Sequence, residues 1–303
     1  MSLERANMAR VRGLAKRVPG LKRMYRQLRQ RGADGREALD VLRLRAAAAR
    51  RGAFEGDPSS NVVVSLTSFP ARIQHAWIPI ETIFQQNRLP AKVVLVLSEQ
   101  EFPGRRLPRQ IRHQEERGLE ILWVKRNTRS YKKLLPTRAA YPDARIVTID
   151  DDLLYAPWAL AELIAAADEN PGAIVGHRGW EIDGQPGRLE PYVNWARAGR
   201  STPSERVFLT SGAGVLFPPG ILCDDYLFDI DLAEELCPNA DDIWFWAVAR
   251  LSGTPLICLG NHELRPLRRL KETANLQKIN REGGENDVKL EKTINRLWLA
   301  SRI

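Results

Sequence analysis

Three consecutive carboxylates, Asp150-Asp151-Asp152, close the apolar run Ile146-Val147-Thr148-Ile149. Adjacent anions repel one another, and Mg2+ or Mn2+ held by one or two carboxylates while it also touches substrate phosphates is a common way to relieve them. In an extended chain alternate side chains share a side, so Asp150 and Asp152 can grip one ion while Asp151 faces elsewhere. The bland alternative is a solvated acidic turn that caps a helix beginning near Pro157. A second pair, Asp241-Asp242, opens a helical pattern after Pro238-Asn239, where acids also suit the helix dipole. Ser130-Tyr131-Lys132-Lys133 begins another helical stretch, where backbone N–H groups and two cations could meet a phosphate. Ser211-Gly212-Ala213-Gly214 lacks bulky side chains and would let a backbone lie against a flat ligand.

These residues need a scaffold, and the pattern after residue 56 supplies one. Short β-branched runs alternate with amphipathic stretches at a pitch of roughly 30 residues, the spacing of βαβ units. Strands are expected at 61–67, 92–98, 119–124 and 145–149, and helices at 73–86, 108–117 and 131–141. The runs Val62-Val63-Val64 and Val93-Val94-Leu95-Val96-Leu97 are continuously apolar, as strands of a parallel sheet buried on both faces are. The second half predicts a helix at 157–168, a strand at 174–177, a Gly/Pro-rich segment at 184–203, a strand at 215–217, a helix at 241–251, a strand at 256–259 and a final helix at 288–299. The fold class is therefore α/β with a mainly parallel central sheet. Ligands of such sheets bind beyond the carboxyl ends of the strands. That rim is polar here: Ser65, Thr67, Ser68 and Arg72 follow the first strand, Ser98 and Glu99 the second, and the three aspartates the fourth.

The 303 residues carry a formal charge of +9, but residues 1–56 alone hold 15 Lys and Arg against five Asp and Glu, so the remainder is nearly neutral. The chain divides into a basic, helical N-terminal extension, 1–56, and a globular domain, 57–303. An anionic membrane surface is the partner such an extension suits, at about 1 kcal/mol per basic residue; a solvated tail is the alternative. Nucleic acid is disfavoured, because the body continues no basic track. No apolar run follows the first charges and no 18 apolar residues stand together, so the expected location is cytoplasmic, peripheral to the inner membrane if the extension binds it. Cys223, Cys237 and Cys258 form no CxxC pair and read as small core residues of a reducing compartment.

The aspartate triplet resembles the aspartate-x-aspartate motif of GT-A-fold glycosyltransferases, the nucleotide-diphospho-sugar transferases. SLTSFPARI at 65–73, SYKKLLP at 130–136, SGAGVLFPPG at 211–220 and ADDIWF at 240–245 are each similar to segments of bacterial surface-glycan transferases. The resemblance spans roughly residues 61–290. It implies a Rossmann-like GT-A fold and a nucleotide-diphosphate sugar donor, UDP-sugars favoured, lying near Thr67, Arg72, Glu99, Lys133, Asp151, Ser211 and Gly212. It further implies Mn2+ or Mg2+ on Asp150 and Asp152, with His262 as a third candidate ligand, and a glycan or lipid-linked oligosaccharide as acceptor in surface polysaccharide assembly. Asp242, supported by Asp241, would take the acceptor proton in an inverting hexosyl transfer, with the two acids open to exchange of roles. Gly283-Gly284-Glu285-Asn286-Asp287 would be a mobile loop able to fold over the donor. Trp180, Trp195 and Trp244 could stack on sugars or simply fill the core.

Two other readings use the same residues. The aspartate cluster could serve metal-assisted phosphohydrolysis or nucleotidyl transfer, or the chain could be a nucleotide- or glycan-binding module without turnover. No P-loop, GxSxG or HExxH motif favours a different chemistry.

Overall fold

The computed structural model describes residues 35–49, 52–185, 188–200, 202–260, 265–267, 284–297 and 299. The chain divides into two units, Met1–Arg50 and Arg51–Ile303. In the first, residues 35–49 form a helix on which Leu39 and Leu42 are exposed. Among the described residues, no helix is long and apolar enough to cross a membrane.

The second unit is built on a seven-stranded sheet: β1 (Val62–Thr67), β2 (Lys92–Ser98), β3 (Leu119–Val124), β4 (Arg145–Ile149), β5 (Ile174–Gly176), β6 (Ala213–Phe217) and β7 (Leu256–Cys258). Their spatial order is β7-β5-β6-β4-β1-β2-β3. Six strands run one way, and β6 lies antiparallel to both β4 and β5. This is the Rossmann-like α/β architecture with a mainly parallel sheet that the sequence implied. β1 and β2 are buried along nearly their whole length, in keeping with their unbroken valine and leucine runs.

Helices connect the strands: α1 (Trp77–Phe84), α2 (Arg109–Glu116), α3 (Leu135–Ala140), α4 (Ala159–Glu169), α5 (Asp241–Leu251) and α6 (Glu285–Arg296). Two of them correct the sequence expectation through proline. The helix expected from residue 73 starts at Trp77, which leaves Pro79 in the first turn, where a missing N–H breaks no helical bond. The helix expected over 131–141 is split into a 3-10 turn, Arg129–Lys133, and α3, because Pro136 can sit only at a helix start. Of the segment expected to be a mobile glycine-rich loop, Gly283 lies outside the described residues, and residues 284–287 enter a helix instead. Gly284 caps α6 in the left-handed region at φ 72°, and Asp287 accepts the Tyr192 N–H at 2.6 Å. Cys237 and Cys258 are buried as expected; Cys223 is exposed, since it directly precedes the short helix Asp224–Leu227.

One apolar cluster packs under β5, β6 and α5. It includes Trp180, Trp195, Phe208, Phe217, Trp244, Phe245 and Trp246. Trp180, Trp195 and Trp244 are 8%, 3% and 0% exposed, so they fill the core and offer no face to a sugar. Residues 243–250 of α5 are all buried, which fixes the position of its first turn. Truncating a core tryptophan such as Trp244 to alanine would cost about 3–5 kcal/mol.

Candidate active site

Because β6 runs against its neighbours, its first residue lies at the same sheet edge as the last residues of β1, β4 and β5. Four segments therefore meet at one rim: 65–72, 150–155, 177–178 and 210–214. The N-terminus of α5 joins them through Ser211. The Ser211 hydroxyl donates to Asp241 and its backbone N–H to Asp242, each at 2.6 Å. Thr148 locks the turn from the sheet side, donating to the Ser211 carbonyl at 2.5 Å.

Lys133 is the hub. Its buried ammonium donates to Asp150 at 2.9 Å and lies 3.3 Å from Asp241. Burial works against its charge, but Asp150, Asp241 and Asp242 outweigh burial and hold the ammonium above its ordinary range. For Asp150 burial likewise opposes ionisation, and Lys133, then Arg178 and Arg72, overcome it and keep the carboxyl below the usual range. Its neighbour Lys132 faces the other way, into a buried contact with Glu101 and a 2.8 Å hydrogen bond to Asn127. Of the two cations in the Ser130–Lys133 segment, only Lys133 reaches the rim.

The aspartate triplet alternates as an extended chain should. The Asp150 and Asp152 side chains are 37% and 28% exposed, whereas that of Asp151 is 7% exposed. Asp151 accepts from Ser68 at 2.6 Å and from Arg72 at 3.1 Å, and Arg72 also donates to Asp152 at 2.9 Å. Arg72 therefore clamps the triplet instead of standing free for phosphate, and Asp151 holds the turn from inside. Burial, then the adjacent Asp150 charge, pushes the Asp152 carboxyl up to about 6. Asp242 is pushed up to about 6 by burial and then by Asp241.

Gly212 is required by close approach. A Cβ on it would lie 1.7 Å from Asp150 Oδ2. Tyr155 ties the two segments together, its hydroxyl donating to the Gly212 carbonyl at 2.5 Å and accepting the Asp150 N–H at 2.8 Å. Thr67 and Glu99 lie at strand ends as expected, but both are engaged: the Thr67 hydroxyl donates to the Val96 carbonyl, and Glu99 pairs with Arg105. His262 lies outside the described residues.

The charge of this cluster suits a divalent cation. Asp150, Asp151, Asp152, Asp241 and Asp242 face Lys133, Arg72 and Arg178, an excess of two negative charges. Among the described residues no group of three or more His, Cys, Asp and Glu side chains is arranged to hold a metal alone. A cation here would take Asp150 and Asp152 as protein ligands and complete its shell with oxygens of substrate or water, the arrangement Mg2+ and Mn2+ favour.

Sequence reasoning did not single out Tyr155, Arg178 or Trp158. Arg178 follows β5, so the rule that directs attention to strand ends would have reached it. Trp158 is exposed to 37%, the most open tryptophan among the described residues, and its ring stands edge-on to His177 at 6.2 Å. His177 is itself buried beside Gly214, where the φ of 97° disfavours any side chain and a Cβ would lie 2.9 Å from His177 Cδ2.

No protein-family model matches the chain, and no curated protein matches it. Among solved structures it is similar in fold to TarS 1–349 of S. aureus, at 16% identity and a TM-score of 0.44 over 67% of this chain and 59% of that one. It is similar to the mannosyltransferase PcManGT of Pyrobaculum calidifontis, in complex with GDP-Man and Mn2+, at 14% identity and 0.46 over 89% and 78%. It is also similar to CMP:2-keto-3-deoxy-manno-octonic acid synthetase complexed with CTP, at 12% identity and 0.40 over 66% and 89%. The chain thus spans about three-fifths of the TarS structure. These are likenesses of fold, and a fold of this breadth does not select a reaction; the site must.

Proposed function

We propose that this protein is a metal-dependent glycosyltransferase that moves a sugar from a nucleoside-diphosphate donor to a hydroxyl of a glycan or lipid-linked acceptor, with inversion at the anomeric carbon. The observation that carries the reading is the division of labour at the start of α5. Asp241 is buried and spent on Ser211 and Lys133, while Asp242 is partly exposed, accepts from Ser211 and has its carboxyl pushed up to about 6. A carboxylate tuned toward neutrality and open to the rim is suited to general-base work.

In this reading the acceptor oxygen attacks the anomeric carbon as its proton passes to Asp242. The bond from that carbon to the diphosphate oxygen breaks, and its electrons leave with the nucleoside diphosphate. A divalent cation on Asp150 and Asp152 would neutralise charge on that leaving group. Lys133 holds Asp150 and Asp241 in place on either side of the reacting groups, and Gly212 keeps the space between Asp150 and Ser211 narrow. Trp158 offers a flat face at the rim on which a sugar ring can stack.

UDP-sugars are the first donors to test, against GDP-, dTDP- and CMP-sugars, by calorimetry with and without Mn2+ on wild type and Asp152→Ala. Metal-dependent binding of one diphosphate donor, lost in the variant, is expected. Metal binding with no donor bound would shift the reading to phosphohydrolysis; donor binding without transfer to any acceptor would favour a binding module. The basic extension is assigned to an anionic membrane surface in surface polysaccharide assembly at the cytoplasmic face. Deleting residues 1–56 should weaken sedimentation with anionic vesicles at low salt, and unchanged sedimentation would remove that role.

A further inference from the structure

Three arginines and lysines named at the rim differ in what already occupies them. Lys133 is taken by Asp150 and Asp241, and Arg72 by Asp151 and Asp152. Arg178 is not taken. Its Nε donates to the Thr210 hydroxyl at 2.9 Å, and Thr210 returns its backbone N–H to the Arg178 carbonyl at 3.1 Å. Among the described residues the guanidinium makes no ion pair and no further hydrogen bond. It is half-buried, and its charge still reaches Asp150 and Tyr155. A guanidinium tethered through Nε presents its two terminal nitrogens as a fork, the geometry that matches paired phosphate oxygens. The tether also removes much of the ordering cost that a free arginine pays on binding.

We propose that Arg178 is a phosphate-binding residue, held by Thr210 so that its free fork grips the diphosphate of the bound nucleotide beside Asp150. The inference rests on the nucleotide-donor reading for the identity of the ligand. It also explains the short pairing of Gly179–Glu181 with Val207–Leu209, which aligns Arg178 with Thr210 at the mouth of the excursion between β5 and β6. That antiparallel pair sets Arg178 opposite Thr210, where the tether through Nε forms.

The test is calorimetry on the full chain with Mg2+, using UDP, inorganic pyrophosphate and uridine as probes, on wild type, Arg178→Ala, Arg178→Lys and Thr210→Val. Arg178→Ala should lose about tenfold or more in affinity for UDP and for pyrophosphate, equivalent to about 1.4 kcal/mol. Uridine, which has no phosphate, should bind the variant and wild type alike. Arg178→Lys should recover only part of the loss, since it restores charge without the fork, and Thr210→Val should fall between wild type and Arg178→Ala. If Arg178→Ala does not fold by circular dichroism, the lysine and Thr210 variants carry the same comparison. Equal UDP affinity in wild type and variants overturns the assignment of Arg178 and leaves the donor reading standing. Pyrophosphate binding that depends on Arg178 with no binding of UDP upholds the site and sinks the nucleotide reading. If wild type binds neither, both fall.

Discussion

Two of the places where the protein buries charge treat it differently. In the first, Glu81 of α1 is 0% exposed and meets Arg117, just beyond α2, at 2.8 Å. Gln114 supplies a further donor, and the Phe84 ring lies under the guanidinium at 5.3 Å. One anion faces one cation, and the contact is complete. At the rim, five carboxylates share three cations, and two of them, Asp152 and Asp242, are pushed up to about 6. A chain selected only to fold has no reason to keep such an imbalance, because unpaired buried charge is costly. The contrast sets a closed structural pair against an open cluster, and supports the proposal that the cluster receives a ligand.

The largest expected effect belongs to the closed pair. Arg117→Met leaves Glu81 buried alone and should cost about 3–5 kcal/mol in chemical denaturation, with turnover per folded molecule unchanged. A loss below about 1 kcal/mol would erase the distinction between the two regions. Next, Asp242→Asn should lower kcat by about 10³-fold while donor affinity stays near wild type. The acid limb of the wild-type kcat/KM profile should fall as Asp242 takes up a proton near pH 6, and any activity the variant keeps should lack that limb. Unchanged turnover would take the base away from Asp242.

Gly212→Ala should cost about 1–3 kcal/mol of stability through overpacking and weaken metal-dependent donor binding, because the added methyl displaces Asp150. If calorimetry shows full donor affinity, the Asp150 position is not part of the donor site. The smallest effect is on pH-dependent stability. Asp152 and Asp242 have folded values near 6 against an ordinary 3.8, so they bind protons more tightly folded than unfolded. The stability they favour is fully present below about pH 4 and is lost as pH rises through 6. Asp152→Asn should therefore raise Tm by about 2–4 °C at pH 7.5 and by less at pH 5. An equal rise at both pH values would mean that the strain is not ionic.

Much of this frame was legible in the sequence. β2, β3, β4 and α5 fall where unbroken apolar runs or helical spacing put them, because burial on both faces leaves a signature in residue type. The direction of β6 was not, since a strand reads alike in either sense and only its long-range partners decide. The carboxylates of the site stood out as residue types in tight local groups. Their partners did not: Lys133 meets Asp241 across 108 positions, and Ser68 meets Asp151 across 83. Lys132 and Lys133 look equivalent in the chain, and only the 3-10 turn Arg129–Lys133 sends one to Glu101 and the other to Asp150. Neighbours in sequence can thus be sent to different partners by a third of a turn of backbone.

The reversed strand β6 has a consequence for how such a site can change over generations. The excursion from His177 to Gly212 leaves the sheet at the rim and returns to it there, so both of its ends are anchored beside Asp150, while its length runs through small paired segments and touches β7 and the residue after it through bridges from Ser204 to Leu256 and from Arg200 to Leu259. Changes at its exposed positions, such as Glu181, Asp183, Val193 and Asn194, can reshape what approaches that rim, whereas its buried Trp180, Trp195 and Phe208 share one core with α5 and stay fixed. What the rim admits can drift through those few exposed positions while the frame that holds the carboxylates stays fixed.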